Sequence, residues 1–110
     1  MKPYPPTLKS KKRYVMFEVV SDKKFAKEDV KKAVWSVLHE NLGNMGLADA
    51  EFSFIDFEEK SQKGILRCTN TKLEQVRAAL ALLSEINLYK AFLYVRTVTG
   101  SIKKANSRVI

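Results

Sequence analysis

The hydrophobic period of this chain changes four times along its length, and the order of those changes leaves few folds open. Residues 13–20 alternate: Val15, Phe17 and Val19 face one way, while Tyr14, Met16, Glu18 and Val20 face the other. That is the period of a half-buried strand. After Ser21-Asp22 the spacing turns helical over 26–42, with Val30, Ala33, Val34, Val37 and Leu38 as the apolar stripe. Glu28 and Asp29 stand in the first turn, where the helix dipole favours acids. Gly43 reads as the end of that helix, and GNMG as a turn. Alternation returns over 50–60 (AEFSFIDFEEK) and, beyond SQKG, over 64–70 (GILRCTN), so the two segments read as a hairpin. Thr71 with Glu74 has the form of a capping box opening a second helix, which runs to about Glu85 through Leu73, Val76, Leu80 and Leu83. Residues 88–99 (LYKAFLYVRTVT) read as a long last strand ended by Gly100, and SIKKANSRVI as a basic tail or short helix.

The order β-α-β-β-α-β predicts an α+β, ferredoxin-like two-layer sandwich. Two helices cover one face of a four-stranded antiparallel sheet, a topology shared with RNA-recognition domains. At 110 residues there is room for one such domain. We place it at 13–100, between a basic arm at 1–12, held extended by three prolines, and the basic tail at 101–110. No apolar run approaches the roughly 20 residues that span a bilayer. Lys2, Pro3, Pro5 and Pro6 interrupt the start where a signal peptide would have its apolar core, so a cytoplasmic location is expected. The single cysteine, Cys68, fits a reducing compartment.

Charge is distributed unevenly. The net charge is +8, yet residues 1–13 and 88–110 contain no acid and carry +5 each, leaving −2 for everything between. Concentration of the excess at both ends is the footprint of a phosphate-binding surface; solvated tails are the plainer explanation. The candidate contacts are Lys9, Lys11, Lys12, Arg13, Arg96, Lys103, Lys104 and Arg108, with Thr97, Thr99, Gly100 and Ser101 offering hydroxyls and backbone N–H groups. Such groups read backbone and shape more than base sequence.

Residues able to carry catalysis are sparse. His39, the one histidine, lies opposite the core stripe of its helix, and Cys68 reads as a structural thiol in a strand. One Cys and one His make no Cys/His metal set. Asp56, Glu58 and Glu59 could hold Mg²⁺ through waters, but acids beside a hairpin turn also serve as edge protection. The loop VVSDKKFAKED lacks both the glycines and the arginine of an acylphosphatase phosphate loop. The third strand begins with Lys63-Gly64, as an RNA-recognition signature does, but Ile65, Leu66 and Arg67 follow where aromatics are needed. Tyr14 and Tyr94 are open to two readings, as base-stacking groups or as ordinary sheet aromatics. Trp35, Ala78 and Leu82 fall off or at the flank of the helix core stripes and are candidates for a protein-partner interface.

Taken in order, PPTLKSKKRYVMFEV, NLGNMGLADA, GILRCTN, VRAALALLSEI and VTGSIKKA resemble successive blocks of the archaeal ribonuclease P protein component 2 family, relatives of a eukaryotic ribonuclease P and MRP subunit. The likeness spans about residues 5–107. Where that family commonly has Ser-Gly-Thr-Ile, this chain has Thr99-Gly100-Ser101-Ile102, which exchanges the hydroxyls without losing them; Asn44 stands where an acid is frequent. The resemblance implies a ribonucleoprotein that removes the 5′ leader from precursor tRNA. It implies that the ribonuclease P RNA performs the hydrolysis with Mg²⁺, while the protein supplies no nuclease centre and binds no cofactor itself. It also implies a protein partner, component 3, with an α/β-barrel fold, in a paired assembly. Two other readings remain open from the residues: a dimeric ferredoxin-like regulatory or small-ligand domain, and a metal-dependent nuclease acting through Asp56 and Glu58.

Overall fold

The computed structural model describes residues 11–100. The elements run β1 (Lys12–Val20), α1 (Lys27–Ala50), β2 (Ser53–Glu58), β3 (Lys63–Thr69), α2 (Leu73–Ala81), a short hairpin of β4 (Glu85–Ile86) and β5 (Tyr89–Lys90), and β6 (Phe92–Thr99). The main sheet has the order β2-β3-β1-β6, and each of its pairings is antiparallel. With α1 and α2 packed side by side on one face, this is the expected ferredoxin-like sandwich.

The core lies between the layers. Val15, Phe17 and Val19 of β1, with Leu66 and Cys68 of β3, meet Val30, Val34, Val37 and Leu38 of α1 and Val76 and Leu80 of α2. Phe17 anchors it, its ring 6.1 Å from that of Phe57 and 6.0 Å from that of Phe54. Across the sheet from the helices lies a second, small cluster. Met16 and Ile65, opposite one another in register, are buried there with Tyr14 and Ile55 packed against them. One buried polar side chain ties the hairpin loop to the core. Gln62 donates to the carbonyls of Phe25 and Glu59 and accepts from the Phe25 N–H, so none of its amide groups faces the interior unpaired.

Four boundaries differ from the sequence reading. Gly43 does break the first helix, with φ 72 and ψ 178, but the chain resumes a helical course at once and continues to Ala50. GNMG is therefore a break between two helical segments, and β2 begins at Ser53. Thr71 does not cap α2. Residues Asn70–Lys72 form a 3₁₀ turn, α2 starts without a side-chain cap, and the Thr71 hydroxyl lies 3.2 Å from that of Thr69. The second helix ends at Ala81. Finally, the long last strand is two pieces, because Asn87 and Leu88 both take positive φ (52 and 70) and turn the chain through the β4–β5 hairpin. Two consecutive left-handed residues are what a tight hairpin demands, and leucine is an uncommon residue to meet that demand.

β6 also contains a bulge. Thr97 pairs with Met16 but Val95 pairs with Phe17, so Arg96 is the extra residue. Its effect is to let Val95 and Val98 both pack toward the core, three residues apart. Thr97 and Thr99 then join Phe92 and Tyr94 on the open face. The edge strand β2 slips the same way between Phe54 and Asp56, which sends Ile55 to the open face.

Candidate nucleic-acid interface

The basic run at the start of β1 is held in place by its backbone. The Lys11 N–H donates to the Asn70 side-chain oxygen (3.0 Å), and the Asn70 N–H donates to the Lys11 carbonyl (2.7 Å). This two-way link ties the start of β1 to the turn that follows β3. Lys12 pairs with Glu51 at 2.6 Å. The Arg13 guanidinium donates to the Lys12 carbonyl (3.0 Å) and lies beside Gly100, where a Cβ would stand 3.5 Å from its Nη1.

Strand register then brings the ends of β3 and β6 to the same place. Tyr14 pairs with Thr99 on one side and with Arg67 on the other. The start of β1, the end of β3 and the end of β6 therefore share one end of the sheet. Arg67 belongs to this group although charge counting by termini passed over it. It is half-buried, donates to Ser53 (3.2 Å), and its Nε is buried without a hydrogen-bond partner. No local sequence signal marks it; the strand register that sets it against Tyr14 does.

The remaining predicted contacts separate. Arg96 lies four positions further along β1, paired with Glu18 at 2.6 Å, so it is partly neutralised and away from the Lys11–Arg13 group. Lys9, Lys103, Lys104 and Arg108 lie outside the described residues.

The candidate partner residues are exposed on the helix layer and line neighbouring hollows. Trp35 rests edge-on against Phe52, with centroids 5.0 Å apart, and lines a surface hollow with Lys31, Lys32 and His39. Ala78 and Leu82 line a different hollow, of about 370 Å³, with Asn41, Leu42 and Gln75.

The other chemistry-bearing side chains are engaged locally. His39 Nε2 lies 2.7 Å from Asn44 Oδ1 at the surface. Asp56 accepts from the Phe57 N–H and sits 3.6 Å from Lys27 Nζ, while Glu59 accepts from the Lys27 N–H. Among the described residues, no three of His, Cys, Asp and Glu come together as metal ligands would. Cys68 is buried in β3 opposite Arg13; burial pushes its thiol up to about 11, with Lys12 pulling weakly the other way. No helix among the described residues is long and apolar enough to cross a membrane.

Comparison with known proteins agrees with this architecture. Residues 13–110 match the Rpp14/Pop5 family. The chain is 42% identical over 106 residues to ribonuclease P protein component 2 of Thermococcus gammatolerans, covering 96% of this chain and 88% of that one. It is 39% identical over 109 residues to the protein of the same name from Pyrococcus furiosus (99% and 91%), and 37% identical over 110 residues to that from Methanosarcina mazei (100% and 93%). Its fold superposes on a chain in the cryo-EM structure of yeast ribonuclease MRP with a TM-score of 0.68 at 10% identity, covering 89% of this chain and 90% of that one.

Proposed function

The chain belongs to the Rpp14/Pop5 family, and on that premise we propose that it is a protein subunit of ribonuclease P, acting with the catalytic RNA to remove the 5′ leader from precursor tRNA. The observation that carries the reading is the gathering of Lys11, Lys12, Arg13 and Arg67 at the end of the sheet where β1 starts and β6 finishes, with Tyr14 paired to both Arg67 and Thr99. Cations gathered there neutralise phosphates of RNA segments that would otherwise repel one another. Lys9, Lys103, Lys104 and Arg108, close in sequence to these strand ends, are proposed to contribute further phosphate contacts. The RNA carries out hydrolysis with its own Mg²⁺, and the protein contributes no catalytic group. The helix layer, facing away from the open sheet, receives a second protein at Trp35 or at Ala78 and Leu82. The partner expected there is the α/β-barrel component 3, in a paired assembly in the cytoplasm.

Reconstitution tests this. The catalytic RNA, this chain and component 3 are combined with precursor tRNA at a Mg²⁺ concentration too low for the RNA alone. Leader removal that depends on this chain is the expected result; cleavage indifferent to its presence would overturn the proposal.

A further inference from the structure

The far end of the open sheet face, away from the basic cluster, carries a different surface. Phe92 and Tyr94 are 47% and 58% exposed, and Val20, paired with Phe92, is 50% exposed; Tyr89, in the separate β4–β5 hairpin just before them, is 47% exposed. Phe92 and Tyr94 stand two residues apart on β6, so their rings leave the same face roughly 6.6 Å apart. Cations already attend Tyr89 and Phe92. Lys23 Nζ sits 3.7 Å from the centroid of Tyr89, and Lys90 Nζ 5.9 Å from that of Phe92. The Arg96 guanidinium, held by Glu18, follows next along the strand.

We infer that Phe92 and Tyr94 form a stacking platform for two successive unpaired bases of a single-stranded RNA segment, whose phosphates are taken up by Lys90 and Lys23. The inference rests on the RNA-binding reading above and adds a second, chemically distinct contact to it. Two considerations select RNA as the occupant. A protein covering this patch would have to desolvate Lys23 and Lys90, which is costly unless it supplies matched anions, and a second copy would bring its own net charge of +8. A single strand supplies a phosphate beside every base. The rings select unpaired bases because a duplex keeps its base faces stacked inside. The central sheet, where RNA-recognition domains place their aromatics, here holds the Met16–Ile65 cluster, so the stacking groups lie on the edge strand instead.

The test uses the full chain with a labelled, unstructured eight-nucleotide oligouridine and, in parallel, a blunt RNA duplex. The double variant Phe92→Leu/Tyr94→Leu keeps apolar side chains on an exposed strand while removing the π faces, and an unchanged thermal midpoint verifies its fold. We expect it to bind the oligonucleotide about 10- to 100-fold more weakly, with the salt dependence and duplex affinity unchanged. Tyr94→Trp retains binding. Equal oligonucleotide affinity in the double variant overturns the inference, as does an equal loss on the duplex, or a change confined to the chain's oligomeric state. A variant in which Lys11, Lys12 and Arg13 are replaced by alanine separates the two proposals. If that variant loses RNA and the leucine variant does not, only the platform falls. If the unaltered chain with component 3 ignores RNA altogether, the function reading falls with it.

Discussion

At the scale of single residues, Cys68 makes the clearest prediction. In the unfolded chain its thiol ionises at the ordinary value of 9.0, while in the fold burial holds the proton to about 11. Between those values the native state binds the extra proton, so stability is intact below pH 9 and declines as pH rises toward 11. Urea denaturation across that range should show a steeper decline for the natural chain than for Cys68→Ala; equal slopes would contradict the assignment. Burial of this thiol was legible from its apolar strand neighbours. The role of Arg67 was not, because nothing local distinguishes it from any solvated arginine. Only the register that sets it against Tyr14, beside the N-terminal cations, makes it part of the basic end. Tyr94 was open to two readings from sequence alone; the structure adds that it is exposed, beside Phe92 on the open face of β6.

At the scale of elements, the period changes gave the order of strands and helices, and the stripes named the core, since Val30, Val34, Val37, Leu38, Val76 and Leu80 are all buried. Misread boundaries have specific physical causes. Gly43 signals a stop, yet a stop and a break look alike when the next segment is also helical. Asn87-Leu88 makes a tight turn without the glycine that usually announces one. The bulge in β6 did leave a trace, since the apolar spacing lengthens from two (Leu93 to Val95) to three (Val95 to Val98). The Gly43 break supplies a prediction. A Cβ there would meet nothing within 4 Å, so Gly43→Ala costs only the backbone strain of an extended, positive-φ conformation. We expect a loss of about 1–3 kcal/mol by urea denaturation. An unchanged midpoint would mean that the two segments of α1 join as one continuous helix.

At the scale of the whole molecule, the uneven charge was plain in the sequence, but its purpose depends on topology. The start of β1, with Lys11, Lys12 and Arg13, lies beside the end of β6 only because the two strands pair antiparallel there. Replacing Lys11, Lys12 and Arg13 together should lower the salt dependence of RNA affinity by about 0.7 to 0.9 log units per log unit of salt for each phosphate contact removed. The drop should be less than the full count of three if Lys12 stays with Glu51. Filter binding from low to moderate salt measures it, and an unaltered slope would remove this group from the interface. The same neighbourhood of strand ends has a mechanical consequence. A load that pulls arm and tail apart acts on adjacent antiparallel strands at a shared end, so it opens the ladder rung by rung, beginning at Tyr14 and Thr99. Peeled in that way, the sheet yields to far gentler tension than one sheared along its length, and the ends tolerate strain only while something else holds them together.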